Sequence, residues 1–185
     1  MKLLVLSLTA LLFLASSGLS AQAVEGKKPL VLFFSYSGNS QAIAKLIAQK
    51  TGGDLVEIEP VKAYPKDYND CVDQAKEELN RSDRPEVKTD PARLAGHDAI
   101  ILVHPNWWGT LPMPVATFLE KADFSGKTVF LVTTHGGGGT GRSQKDLSKL
   151  AKEATVKDTL AIYGKGDNTL ASDLDKWLAK NGLTS

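Results

Sequence analysis

The sequence predicts one α/β domain, an open, doubly wound, five-stranded parallel sheet with helices on both faces. Strand-like and helix-like segments alternate five times along the chain, which is the pattern of such a sheet. Two strand-like segments, 30–34 (LVLFF) and 98–104 (DAIILVH), are apolar enough to be buried at its centre. Three distinctive loops directly follow strands, and ligands of these sheets bind at the carboxyl ends of the strands.

The remaining elements follow from periodicity and breaker residues. Ile43, Leu46 and Ile47 have the spacing of one buried helix face. Residues 54–59 alternate polar and apolar side chains, which indicates a strand near the sheet edge, and Pro60 ends it. The other predicted strands cover 127–134 and 159–163, and the predicted helices cover 41–50, 68 to about 81, about 112–122, 141–153 and 170–180.

The second predicted helix carries the only cysteine of the chain. Val72, Ala75 and Leu79 form its apolar face, and its polar face, which includes Glu78, is predicted to be solvated. Cys71 has no second cysteine with which to form a disulfide or a redox pair. We therefore predict that Cys71 is a small packing residue.

The N-terminus has the features of a secretory signal. Lys2 precedes an apolar stretch over 3–15 that is too short to span a bilayer comfortably, and residues 21–23 (AQA) form a small-x-small cleavage motif. We predict a signal peptide over 1–23, cut after Ala23, and one domain over 24–185. The protein is then exported, periplasmic or secreted, without stable membrane insertion. An uncleaved N-terminal anchor is the alternative.

The charge of the chain is balanced. The sequence has 22 lysines and arginines against 21 aspartates and glutamates. There is no basic patch of the kind that nucleic-acid binding requires. We therefore expect no nucleic-acid partner.

Residues 35–40 (SYSGNS), which we call the serine turn, lie between the first strand and the first helix. A helix N-terminus presents free backbone N–H groups and attracts anions, and nearby hydroxyls can donate to phosphate oxygens. The turn has no Lys or Arg, so we expect neutral donors to hold a phosphate monoester. The alternative is that Ser37 or Asn39 merely caps the helix.

Residues 104–114 (HPNWWGTLPMP), the tryptophan loop, follow the third strand. Prolines stiffen this loop, and two adjacent indoles in it suit a flat ligand. Gly109 would let a backbone amide approach the ligand edge. The alternative is that one tryptophan packs on the following helix and the other shields it.

Residues 134–143 (THGGGGTGRS), the glycine loop, follow the fourth strand. Five glycines within six positions expose backbone N–H and C=O groups to something that approaches closely, such as a planar ring with polar edges. The alternative is a flexible surface linker. The next helix begins at Gly141 or at Ser143. Arg142 faces either a ligand or solvent.

The three loops together resemble the ligand loops of flavodoxins, in the branch with a WWG loop, and the similarity extends over the whole chain after residue 23. The resemblance implies a flavodoxin-like fold with FMN as cofactor and without a metal. It implies that Ser35, Ser37, Gly38, Asn39 and Ser40 hold the phosphate, that Pro105, Asn106, Trp107, Trp108 and Gly109 line one side of the isoalloxazine, and that His135, Gly136, Gly137 and Gly138 line the other.

The resemblance implies an electron-transfer protein that needs no catalytic residue, because the redox chemistry belongs to the cofactor. Many flavodoxins are strongly acidic and have a tyrosine that stacks on the ring, but this chain has neither feature. Its partner is therefore a redox protein or a small quinone-like acceptor. The alternatives are an FMN-dependent quinone/NAD(P)H oxidoreductase, with His135 as the candidate proton donor, and a flavin-free binding module.

Overall fold

Five parallel strands form one sheet in the computed structural model, which describes residues 28–184. The strands are β1 (Leu30–Phe33), β2 (Asp54–Glu57), β3 (Ala99–Pro105), β4 (Thr128–His135) and β5 (Thr155–Tyr163). Their order is β2-β1-β3-β4-β5, so the strand order reverses between β1 and β3. The predicted doubly wound parallel sheet is confirmed.

Helices cover both faces of the sheet. They are α1 (Asn39–Thr51), α2 (Tyr68–Arg81), α3 (Met113–Lys121), α4 (Ser143–Leu150) and α5 (Leu170–Lys180), with a short 3₁₀ turn at Pro91–Leu94. Leu30 and Leu32 of β1 belong to the core that includes residues of α3 and α4, and Val31 and Phe33 belong to the core of α1 and α5. This burial on both faces is why the strand is an unbroken apolar run.

The edge position of β2 is confirmed, but the strand ends two residues earlier than predicted. Val56 is buried while its neighbour Leu55 is exposed, as expected of a strand at the sheet edge. The Ile58 N–H still donates to the Phe33 carbonyl of β1. From Glu59 onward the chain pairs with the connector before the 3₁₀ turn, through an antiparallel bridge between Pro60 and Val87. The pairing partner therefore changes just before the proline, which has no N–H to donate.

The fifth strand begins at Thr155, four residues before the predicted start. It pairs with β4 from Thr128 onward, with an irregularity between Val129 and Leu131. This strand is at the edge of the sheet and contains the polar residues Lys157 and Asp158. They interrupt the apolar pattern from which the strand was predicted.

The predicted solvation of Glu78 is wrong. Its side chain is buried and accepts hydrogen bonds from the Tyr64 hydroxyl and, at 2.8 Å, from the Gln74 amide. The loop before α2 places Tyr64 over this part of the helix, which excludes solvent from its polar face. Burial and the neighbouring Glu78 carboxylate raise the pKa of Tyr64. Cys71 is buried, as expected of a packing residue.

The N-terminal signal peptide over 1–23 lies outside the described residues and stays a prediction. None of the helices within residues 28–184 combines the length and apolar character that a membrane span needs.

His104, the second-last residue of β3, is expected to make stability depend on pH. Its ring is fully buried, and burial lowers its pKa to about 4. An unfolded histidine takes up its proton near pH 6.5, so acidification between about pH 6.5 and 4 stabilises the unfolded state. We expect this residue alone to remove up to about 3 kcal/mol of stability over that range.

The measurement is urea unfolding at several pH values for wild type, His104→Gln and the half-buried control His97→Gln. The His104 variant should lose markedly less stability than wild type on acidification, while the control follows wild type. Identical pH slopes for all three proteins would contradict the expected role of His104.

Candidate functional site

The serine turn, the tryptophan loop and the glycine loop lie together at the carboxyl ends of the strands. They follow β1, β3 and β4, which are parallel neighbours at its centre. The hydroxyls of Ser40 and Thr134 are 2.7 Å apart, which links the start of α1 to the end of β4. The ring centroids of Tyr36 and Trp107 are 6.1 Å apart, which joins the serine turn to the tryptophan loop.

No side chain caps α1, so the free N–H groups of its first turn are available to an anion. The N-cap residue is Gly38, with a φ of 87°, and its own N–H donates to the Ser35 hydroxyl at 3.1 Å. The alternative in which Ser37 or Asn39 caps the helix is therefore wrong. The first turn also lacks an acidic residue, so the positive end of the helix dipole is uncompensated.

The side chains of the serine turn differ in how accessible they are. Ser37 is exposed and Asn39 half-buried, whereas Ser40 is buried against Thr134. Either hydroxyl can be the donor in this contact, and where Thr134 donates, the Ser40 hydroxyl keeps its own hydrogen for a phosphate oxygen. Ser37 and Gly38 are the exposed residues among the predicted phosphate donors.

The two adjacent indoles of the tryptophan loop have different surroundings. Trp107 is half-buried in an aromatic cluster, with ring centroids 5.4 Å from Phe34 and 5.0 Å from Tyr64, both edge to face. Trp108 is 45% exposed and lies against α2, where its indole N–H donates to the Val72 carbonyl at 3.0 Å. Trp108 therefore contacts the preceding helix, α2.

Asn106 joins the tryptophan loop to the glycine loop. Its side-chain amide donates to the carbonyls of Gly139 at 2.7 Å and Gly138 at 3.2 Å, and its Oδ1 accepts from the Gly109 N–H at 2.9 Å. One side chain thus holds both loops in a fixed relation. Pro105 precedes it as the last, half-buried residue of β3.

A second backbone contact joins the same loops. The N–H of Arg142 donates to the Gly109 carbonyl at 2.8 Å. A Cβ at Gly141 would lie 2.2 Å from that carbonyl oxygen. We expected the glycines of this loop to let a ligand approach the backbone, but Gly141 is required for the contact between the two loops.

His135 lies at the end of β4, beside the exposed part of the glycine loop. Its ring is perpendicular to that of Tyr163 at a centroid distance of 5.8 Å, and its Nδ1 accepts from the Gly137 N–H at 3.0 Å. The hydrogen of the neutral ring is therefore on Nε2. Gly136, Gly137 and Gly138 are exposed, so their backbone groups are accessible at the edge of the sheet.

A cavity of about 280 Å³ lies between α2 and the loops, and sequence reasoning did not assign its α2 wall to the site. Periodicity identified this helix as a covering element but could not show which loop it faces. The cavity is lined by Tyr36, Tyr68, Cys71, Val72, Ala75, Asn106, Trp107 and Trp108. Within residues 28–184, no group of His, Cys, Asp and Glu side chains is arranged to hold a metal ion.

Comparison with known proteins matches the chain to a family model and to solved structures. A model of the flavodoxin family matches residues 28–181. A solved protein from Bacteroides uniformis, assigned as a flavoprotein, is 29% identical with a TM-score of 0.73, covering 84% of this chain and 99% of that one. A similar protein from Bacteroides eggerthii is 27% identical with a TM-score of 0.73, covering 83% and 96%.

A flavoprotein from Lactobacillus acidophilus, solved in complex with FMN, is 22% identical with a TM-score of 0.66, covering 82% of this chain and 99% of that one. At that identity the likeness concerns the fold. Among curated proteins, no sequence matches the chain.

Proposed function

Because this chain belongs to the flavodoxin family, we propose that it binds FMN where the serine turn, the tryptophan loop and the glycine loop meet, and that it carries electrons. The observation that carries this proposal is the uncapped N-terminus of α1, which is linked through Ser40 to the end of β4. An anion site beside two loops with exposed aromatic and backbone groups suits a phosphorylated, planar cofactor.

The residues at this edge fit the phosphate of FMN. Gly38 has no atom within 4 Å of an added Cβ, so the backbone of the serine turn is open to a ligand. Neutral side-chain donors to the phosphate come from Ser35, Ser37, Asn39 and Ser40. The backbone N–H groups in the first turn of α1 supply the other donors. When bound, FMN supplies one- and two-electron redox chemistry.

The loops on either side of the proposed ring position have fixed shapes. Asn106 holds the tryptophan loop and the glycine loop together, so Trp107, Gly109 and the exposed Gly136–Gly138 segment have a preformed arrangement. Preformed walls lower the conformational entropy that binding costs. These residues would orient the ring and exclude water from it. The partner in electron transfer is a redox protein or a small quinone-like acceptor.

An FMN-dependent quinone/NAD(P)H oxidoreductase is the second candidate. It is favoured by His135, whose Nδ1 is engaged by Gly137, which leaves Nε2 as the nitrogen that bears the proton. Steady-state reduction of a quinone with a nicotinamide donor separates the two functions. Turnover that falls in His135→Gln but not in His97→Gln would favour the enzyme, and no turnover with any small acceptor would favour the carrier.

Export is part of the proposal, and one measurement tests it together with the cofactor. We express the full chain with an intact N-terminus and record its mass under native and denaturing conditions. We expect a chain of residues 24–185 that carries one FMN. Protein that stays colourless after incubation with FMN would favour the flavin-free binding module, and a chain that keeps residues 1–23 would favour the N-terminal anchor.

A further inference from the structure

The cavity between α2 and the tryptophan loop has walls of a kind that bind ligands. Aromatic rings surround it, from Tyr36 in the serine turn, Trp107 and Trp108 in the tryptophan loop, and Tyr68 at the start of α2. Two of these side chains are unusually exposed for their type, Tyr68 at 70% and Trp108 at 45%. Exposed aromatic residues around a preformed cavity are typical of a binding site.

Trp108 is held in place at a conformational cost. Its φ of 52° is in the left-handed region, which is strained for a bulky side chain. Its indole N–H is fixed by the Val72 carbonyl at 3.0 Å, and the Lys76 ammonium lies 4.7 Å from the ring centroid. The indole is therefore positioned as a wall of the cavity before any ligand arrives.

Tyr36 forms the facing part of the cavity and is also fixed. Its hydroxyl donates to the carbonyl oxygens of Pro65, at 2.9 Å, and Lys66, at 3.2 Å. Its ring packs edge to face on Trp107, with centroids 6.1 Å apart. The phenol hydrogen is thus engaged by backbone carbonyls, and the ring is available to a ligand.

The chemistry of the lining selects a neutral, flat molecule. None of the side chains that line the cavity is charged at neutral pH, because burial raises the pKa of the Cys71 thiol and keeps it protonated. Val72 and Ala75 contribute apolar surface from α2. Aromatic rings and small apolar groups favour planar aromatic molecules and offer no partner to an anion. The Lys76 ammonium beside Trp108 would repel a cation.

We propose that this cavity is a binding site for a neutral planar aromatic molecule of about two fused rings, of the quinone class. It lies beside the FMN site, with Asn106 and Trp107 as a shared wall, and does not hold the flavin itself. Asn106 lines the cavity and bonds to Gly138 and Gly139, so the cavity adjoins the glycine loop with Asn106 between them. The proposal deepens the proposed function by naming a small redox partner, but binding to the cavity does not require FMN.

The test is a fluorescence titration with 2,3-dimethyl-1,4-naphthoquinone, whose blocked ring positions prevent addition of the Cys71 thiol. The titration is done on the full-length protein, both free of FMN and saturated with it. We expect saturable quenching of the tryptophans, with similar affinity in both states. Val72→Phe and Ala75→Leu fill the cavity from α2 and should each weaken binding by at least about tenfold.

Ala171→Leu, on the exposed surface of α5, adds the same atoms as Ala75→Leu and should change nothing. Thermal unfolding shows which variants fold. If a variant does not fold, the titration of wild-type protein still tests the proposal. Non-saturable quenching would overturn the inference, and so would displacement of the quinone by FMN, which would mean that the flavin itself occupies the cavity. Failure of the protein to bind FMN would instead count against the proposed function. It would leave the quinone site intact, because quinone binding is also measured on protein free of FMN.

Discussion

Ser37→Asp is expected to weaken FMN binding by about 100-fold and to leave riboflavin binding unchanged. Ser37 is exposed in the serine turn, next to the uncapped N-terminus of α1. A carboxylate there would repel the phosphate, and two charges a few ångströms apart in partly solvated surroundings interact by about 2–3 kcal/mol, or roughly 100-fold in affinity. The turn has no Lys or Arg to offset that repulsion.

The substitution should not harm the free protein, because a carboxylate near a helix N-terminus is favourable. The matched control is Ser37→Asn, which has the shape of aspartate without its charge and should lose far less FMN affinity. Fluorescence titrations of FMN and riboflavin measure both affinities. Equal losses for the two ligands in Ser37→Asp would show that the phosphate does not lie at the serine turn.

The order of the elements could be predicted because hydrophobic periodicity reports burial directly. The central strands β1 and β3 are buried on both faces and appear as apolar runs, while the alternation of β2 marks an edge strand. In a parallel sheet, the loops after neighbouring strands must meet at one edge. The common location of the three loops therefore follows from the order of the strands.

The contacts within that edge could not be predicted, because they depend on single backbone conformations. Periodicity does not indicate that Trp108 has a left-handed φ and faces α2, nor that Tyr64 covers Glu78. The start of α4 shows the same limit. The sequence allows this helix to begin at Gly141 or at Ser143. The φ of 52° at Gly141 is outside the right-handed helical range, so the helix begins at Ser143.

Gly141→Ala is expected to lower the free energy of unfolding by about 3 kcal/mol. The added Cβ would lie 2.2 Å from the oxygen and 2.7 Å from the carbon of the Gly109 carbonyl, and both are backbone atoms that cannot rotate away. Relief requires the loops to separate, which breaks the hydrogen bond from the Arg142 N–H to Gly109. The positive φ adds about 1 kcal/mol, and the lost hydrogen bond a similar amount.

Gly136→Ala is the matched control in the same loop. A Cβ at Gly136 meets no atom within 4 Å, and its φ lies outside the left-handed range, so we expect a change within about 0.5 kcal/mol. Urea unfolding of both variants measures the difference. Because separated loops would also disturb the ring walls, Gly141→Ala should weaken FMN and riboflavin alike, in contrast to Ser37→Asp. Wild-type stability in Gly141→Ala would mean that the tryptophan and glycine loops do not make this contact in solution.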